Sequence, residues 1–320
     1  MKRRCSFIGG LALTVLLAVH STYSAGAHES ESVSQEVEPD VLDFYRQFSY
    51  FTDPGEYTYL FEGLPDSLQE LCDLIKCQFI HPADIGPFRS IIPAERHNED
   101  DKFRNVRELL QGLMELDGRG LTSDREPVNR RVVYCLNHSI FLASILKYQG
   151  VPARVRCGFA SYLAPGTGYH IGHVICEVWN DDEKRWMFVD PDRKKVDIPR
   201  EQFELAGDVW LRLQEGKVDP RRYIGGADLG DGLILDALCR DLPAVLGEER
   251  SVWESAPICA NGQMKWQDIE SGKLEVLNQV ALYLSNPELH LDALQALYKE
   301  HSFLHYEPIP SGIAEYWIFH

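Results

Sequence analysis

The chain has 320 residues, 44% of them hydrophobic and 25% charged, a balance that excludes a disordered or fibrous protein and is long enough to bury a full core. Its net charge of −17 argues against a nucleic acid or anionic lipid partner, because phosphate binding wants a basic surface. Eight cysteines are too few for a disulfide-dense scaffold of this length.

The first residues read as an export signal. Lys2, Arg3 and Arg4 form a positive start, and Phe7 to Val19 an apolar run shorter than the roughly 20 residues of a membrane span. Ala25-Gly26-Ala27 supplies a small-residue cleavage site. Residues 1–27 are therefore expected to be a signal peptide rather than an uncleaved anchor. The mature protein would be exported, periplasmic or secreted, with no stable membrane insertion. Cleavage removes three positive charges and no negative ones, so the mature charge is −17 − 3 = −20. Seven cysteines remain, at positions 72, 77, 135, 157, 176, 239 and 259, and an odd number in an exported protein leaves at least one free thiol or an intermolecular bond.

The acidic, aperiodic segment after the signal is expected to be a tether, taken over 28–50. From Val41 to about Arg130 the pattern is helical with turns, including LPDSLQELCDLIKCQFI, with Asp66 as cap and Gln69 completing a capping box, and DKFRNVRELLQGLMELD. Cys72 and Cys77 lie about 140° apart around the first of these helices, which argues against a bond between them. A helix from Cys135 to Gln149 stops at Gly150-Val151-Pro152. Ala153 to Ala160 alternates as a strand. A turn-rich loop leads to two strands, His173 to Trp179 and Trp186 to Asp190, joined by the polar NDDEKR. Helical pattern returns after Pro191, and the segment from Lys273 to His301 reads as two helices broken at Asn286-Pro287.

Three residues stand where nucleophilic chemistry needs them. Cys135 opens a helix, where unpaired N–H groups and the macrodipole favour a thiolate and could hold an oxyanion. His173 is the candidate general base. Asp190 would orient its ring and stabilise the imidazolium. If the hairpin closes symmetrically, Trp179 faces Trp186 and Ile175 faces Asp190. His173 then lies two positions along on the same face as Asp190, within reach of its side chain.

Other residues carry plainer readings beside functional ones. His170 is a loop histidine or a substrate contact. A zinc site of Cys135, His138 and His173 is disfavoured, since no paired CxxC or HExxH accompanies it. Cys157 and Cys176 can face each other across strands, as two buried thiols or as a disulfide. Asn137-His138-Ser139 matches a glycosylation sequon by chance. Tyr162, Tyr169 and Trp179 are core residues or the wall of a substrate cleft.

The block around Cys135 resembles the transglutaminase-like superfamily, relatives of papain-like cysteine proteases. The resemblance rests on Cys135, Gly150-Val151-Pro152-Ala153-Arg154-Val155, His173 with Glu177-Val178-Trp179, and Trp186 to Asp190. It extends to flanking text such as FTDPGEYTYLFEGLPDSL, FIHPADI and CRDLPAVL. The chain departs from the pattern at Tyr134, Asn137, His138 and Ser139, which line the mouth of the site.

The resemblance implies an α+β fold, a papain/transglutaminase-like core of helix packed on antiparallel sheet with helical N- and C-terminal additions. The domain would span 51–250, with its catalytic core at 131–192, and 251–320 would form a helical extension. It further implies catalytic Cys135, His173 and Asp190 without metal or cofactor. The substrate would be a protein, a peptide or a small amide; the resemblance allows amine transfer too, and hydrolysis is favoured because water competes well unless a site excludes it. The rival expectation is a catalytically inactive binding or scaffold module on the same fold.

Overall fold

The computed structural model describes residues 37–226, 228–260 and 264–308; the expected signal peptide at 1–27 and the start of the tether lie outside them. The stretch 28–50, expected as a tether, holds a helix in its described part. Helix α1 (Pro39–Arg46) forms inside it, because proline suits a first helical turn and Leu42 and Tyr45, three apart, both find burial.

Helix α2 (Leu68–Gln78) starts one residue later than expected. Ser67, not Asp66, is its cap, accepting the Glu70 N–H. The chain then forms a two-residue strand β1 (Phe79–Ile80). Helix α3 (Val106–Leu116) follows, capped by Asn105, whose side-chain oxygen accepts the Glu108 N–H at 2.9 Å. Strand β2 (Arg131–Val132) returns parallel to β1, with Ile80 beside Val132.

Helix α4 (Cys135–Tyr148) is buried from Cys135 through Lys147, so it runs through the molecule rather than over it. It stops where Gly150 takes φ +78°, a conformation glycine adopts at little cost, and Pro152 follows.

The main sheet comprises β3 (Ala153–Ala160), β4 (His170–Asn180), β5 (Arg185–Asp190), β6 (Lys195–Val196) and β7 (Phe203–Leu205), in the antiparallel order β6-β5-β4-β3-β7. The hairpin register places Trp179 opposite Trp186 and Cys176 opposite Val189, the symmetric closure that the polar loop predicts. Continued one step, it sets Ile175 against Asp190. Helix α5 (Ala206–Gln214) follows β7, and β8 (Tyr223–Gly225) joins β4 in parallel and pairs with β9 (Asp228–Leu229). Three more helices complete the described chain: α6 (Asp231–Val245), α7 (Ser271–Leu284) and α8 (Leu291–Glu300).

Two apolar clusters hold the layers together. One joins α2, α3 and α4 to the sheet through Val155, Cys176, Val178 and Val189. The other joins α5 to α8 and α1 to the sheet through Phe159, Trp179 and Trp186. The result is the expected α+β arrangement, a helix on an antiparallel sheet with helical additions on either side. No helix among the described residues is long and apolar enough to cross a membrane.

Two details of the sheet bear on the site. Gly158 pairs with His173, and a Cβ there would lie 2.2 Å from the Glu204 carbonyl oxygen, so the approach of β7 demands glycine. Cys157 and Cys176 do not face each other. They sit two positions out of register, opposite Val174 and Val155, as free buried thiols.

Candidate active site

Cys135 is the first residue of α4. Its predecessor Tyr134 is extended (φ −74°, ψ 173°) and gives no side-chain cap, so the first-turn N–H groups have no side-chain acceptor from that residue. The cysteine is 8% exposed, buried but in touch with solvent. His173, in β4, hydrogen-bonds to the Cys135 sulfur. Its Nε2–H donates to Asp190 Oδ2 at 2.8 Å, which leaves Nδ1 for the thiol. Asp190 closes β5, is wholly buried, and accepts two further hydrogen bonds, from the Tyr162 hydroxyl at 2.7 Å and from the Arg193 N–H at 3.0 Å. The three residues singled out in the sequence thus meet, contributed by a helix start, a strand near its start and a strand end.

Burial alone would push the Cys135 thiol up. The His173 charge and hydrogen bonds from His173 and His81 outweigh it and bring the thiol down to about 6. Burial works against the His173 imidazolium too, but Asp190 and the Cys135 thiolate hold its pKa well above the ordinary value. Asp190 stays below the carboxylate range despite burial, because His173 and Tyr162 stabilise its charged form. A thiolate–imidazolium pair follows. The other cysteines with perturbed thiols move the opposite way: burial lifts Cys72 to about 12 and drives Cys157 and Cys176 well up.

The structure adds groups that the sequence did not single out. His81 follows β1, packs against the Tyr134 ring just before Cys135, and helps to lower the Cys135 thiol. The β1–β2 pairing brings it there; its sequence signal is a His-Pro pair after an apolar run, within the FIHPADI segment that the resemblance takes in. Tyr162, read as core or cleft wall, contributes its hydroxyl to Asp190. Beneath the site, Asp192 binds Lys76 at 2.6 Å, and His138 lies 3.6 Å from Asp192 while donating Nδ1–H to Tyr134 O at 2.9 Å. Burial takes His138 down to about 4, so it stands neutral beside that carboxylate. Asp100 is raised to about 7 by burial, with the Trp253 indole N–H donating to it. It lines a small cleft at the start of α4 with Phe103, Leu136 and Asn137.

Other named residues are elsewhere. His170 belongs to β4, pairs with Glu204 and stacks on Tyr223, with ring centres 4.8 Å apart. Trp179 is buried against Trp186, while Tyr169 is exposed. Asn137 is buried and donates to the Phe103 carbonyl, a poor position for a glycan.

Residues 97–191 match the profile of the transglutaminase-like superfamily. Over that segment the chain is similar to transglutaminase-like domains. The match takes in Cys135, His173 and Asp190 and leaves out His81. No curated protein and no solved structure matches the chain. The superfamily generally includes cysteine enzymes of papain-like build, which bears on what this domain does.

Proposed function

We propose that this protein is a cysteine-dependent acyl-transfer enzyme acting on amide or peptide bonds through Cys135, His173 and Asp190. The observation that carries the reading is a cysteine at a helix start beside an imidazole that a wholly buried carboxylate holds at 2.8 Å, an arrangement that favours the thiolate. The Cys135 thiolate attacks the acyl carbonyl carbon, and the carbonyl electron pair moves onto oxygen. Collapse expels the leaving amine, which takes its proton from His173, and leaves a thioester on Cys135. Asp190 keeps the ring in one tautomer throughout. Water, deprotonated by His173, then releases the acid and the thiolate.

Hydrolysis is favoured over transfer to an amine, because water competes well unless a site excludes it and binds an amine. The substrate is a protein, a peptide or a small amide. The N-terminal segment supports action outside the cytoplasm, in the periplasm or the medium.

The test is to trap the acyl-enzyme from p-nitrophenyl acetate by mass spectrometry and to follow its products with and without a primary amine. Acetyl on Cys135 that is released as acetate, with little amide formed, is the expected result. Acetylamide as the main product would make the protein a transferase. No adduct on Cys135 would sink the enzyme reading in favour of a binding module.

A further inference from the structure

A second imidazole, His81, packs on Tyr134 at the start of α4, and its hydrogen bonds differ from those of His173. The Nδ1 atom of His81 accepts the backbone N–H of Ala83 at 3.1 Å, capping the turn Pro82–Asp84. A ring nitrogen that accepts carries no hydrogen, so this pattern assigns the ring hydrogen to Nε2. With Nδ1 engaged, Nε2–H is the atom left to act at the neighbouring Cys135, whose thiol His81 helps to bring down. The mirror arrangement holds His173, whose Nε2 is engaged by Asp190. One imidazole is backed by a carboxylate and built to take a proton; the other is backed by a peptide N–H and built to give a hydrogen bond.

The placement of His81 is rigid. Ile80 pairs with Val132, and the Val133 N–H donates to Ile80 O at 3.0 Å, so the residue before His81 is bonded to the segment two residues ahead of Cys135. The Tyr134 ring packs edge-on against His81 at 5.2 Å. His81 itself is only partly buried, and so open to an incoming substrate.

We propose that His81 is a catalytic residue of this site, an electrophilic donor that holds the oxyanion of the tetrahedral intermediate together with the Cys135 backbone N–H. The inference rests on the acyl-transfer reading above. As Sγ bonds to the acyl carbon, the carbonyl oxygen becomes an oxyanion one bond away from that carbon. The His81 Nε2–H donates a hydrogen bond to this oxygen and keeps its proton. Collapse returns the electron pair to the C=O bond, the leaving group departs with the proton from His173, and His81 releases the oxygen.

Two reagents separate this role from a structural one. Iodoacetamide alkylates the thiolate by displacement at a saturated carbon, so no oxyanion forms. The ester p-nitrophenyl acetate acylates it through a tetrahedral oxyanion. Both rates are measured on the mature chain well above the pH at which Cys135 ionises, for wild type, His81→Phe and His81→Gln. The expected result is that His81→Phe slows acylation about 100-fold while alkylation stays within about threefold, and that His81→Gln, which keeps a side-chain donor, recovers about tenfold of the loss. Equal loss of both rates, or loss of neither, overturns the proposal. Should His81→Phe fail to fold, the same ratio in His81→Ala decides. A wild-type Cys135 that reacts no faster with iodoacetamide than the other cysteines would sink the enzyme reading and this proposal with it, an outcome distinct from a selective wild type whose variants lose both rates equally.

Discussion

The sheet formed by β3, β4 and β5 carries buried charge in two places. At one end Arg154 pairs in register with Glu177, and next to them Arg156 is wholly buried. Every guanidinium nitrogen of Arg156 is engaged. Nε donates to Asp241 at 3.1 Å, Nη1 to Glu177 at 2.8 Å, and Nη2 to Asp241 and to the Leu284 carbonyl, each at 2.8 Å. Arg154 lies over the Trp186 ring at 4.0 Å and donates to Glu177 at 2.7 Å. At the other end, where His173 pairs with Gly158, the charge is a thiolate and an imidazolium at the edge of solvent. The first cluster satisfies Arg156 completely, leaves only Nη1 of Arg154 without a partner, and ties α6 and α7 to the sheet. The second leaves a nucleophile with a free approach. Burial of charge alone does not mark a site; what marks this one is a nucleophile that still touches solvent.

Substitutions at the two ends should therefore fail differently, and on one scale a tenfold rate change equals about 1.4 kcal/mol. The largest effect belongs to Cys135→Ala, expected to lower acyl transfer by about 10⁴-fold or more with the unfolding midpoint unchanged, read by p-nitrophenol release beside a urea melt. Arg156→Met should do the reverse. It leaves Asp241 buried without its cation and should cost about 3–5 kcal/mol of stability in urea, while the folded fraction keeps its rate per active site. Glu177, which burial alone would raise, is brought down to about 2 by Arg154 and Arg156. Its folded pKa lies below the unfolded one, so the stability it contributes is full above about pH 4.5 and is lost as pH falls towards 2; acid titration of the unfolding midpoint checks this sign. Asp190→Asn should cost about 100-fold in rate through lost imidazolium stabilisation, seen in kcat rather than KM. Tyr162→Phe removes one hydrogen bond to that carboxylate and should cost about tenfold, the smallest change. If Arg156→Met left stability intact, or Cys135→Ala unfolded the protein, the contrast between the two ends would be broken.

The legible parts of the sequence were those with local grammar. The stop at Gly150-Val151-Pro152 ended α4, and the polar NDDEKR loop set the register that brings His173 to Asp190. The class of fold followed from these pieces and from the resemblance they carry. The cap of α2 slipped by one because Asp66 and Ser67 are both good caps, and only the backbone turn chooses between them. His81 stayed hidden because a two-residue parallel pairing leaves no periodic pattern and spans a long stretch of chain. Arg156 was silent for a related reason. Alternation in β3 pointed to Val155, Cys157 and Phe159, yet helix α6 covers the strand so fully that its charged positions are buried too, with a partner in Asp241 that no spacing predicts.

The most direct measurement is the rate of iodoacetamide alkylation at each cysteine as a function of pH, resolved by mass spectrometry, in wild type and His173→Ala. The account predicts that Cys135 reacts fastest, with a midpoint near 6 set by burial opposed by His173 and His81, while Cys72, near 12, stays inert. Loss of His173 should move the Cys135 midpoint upward, since its cation and hydrogen bond favour the thiolate. A Cys135 that reacts no faster than its neighbours, or whose profile ignores His173, would contradict the claim that this site holds an activated thiolate.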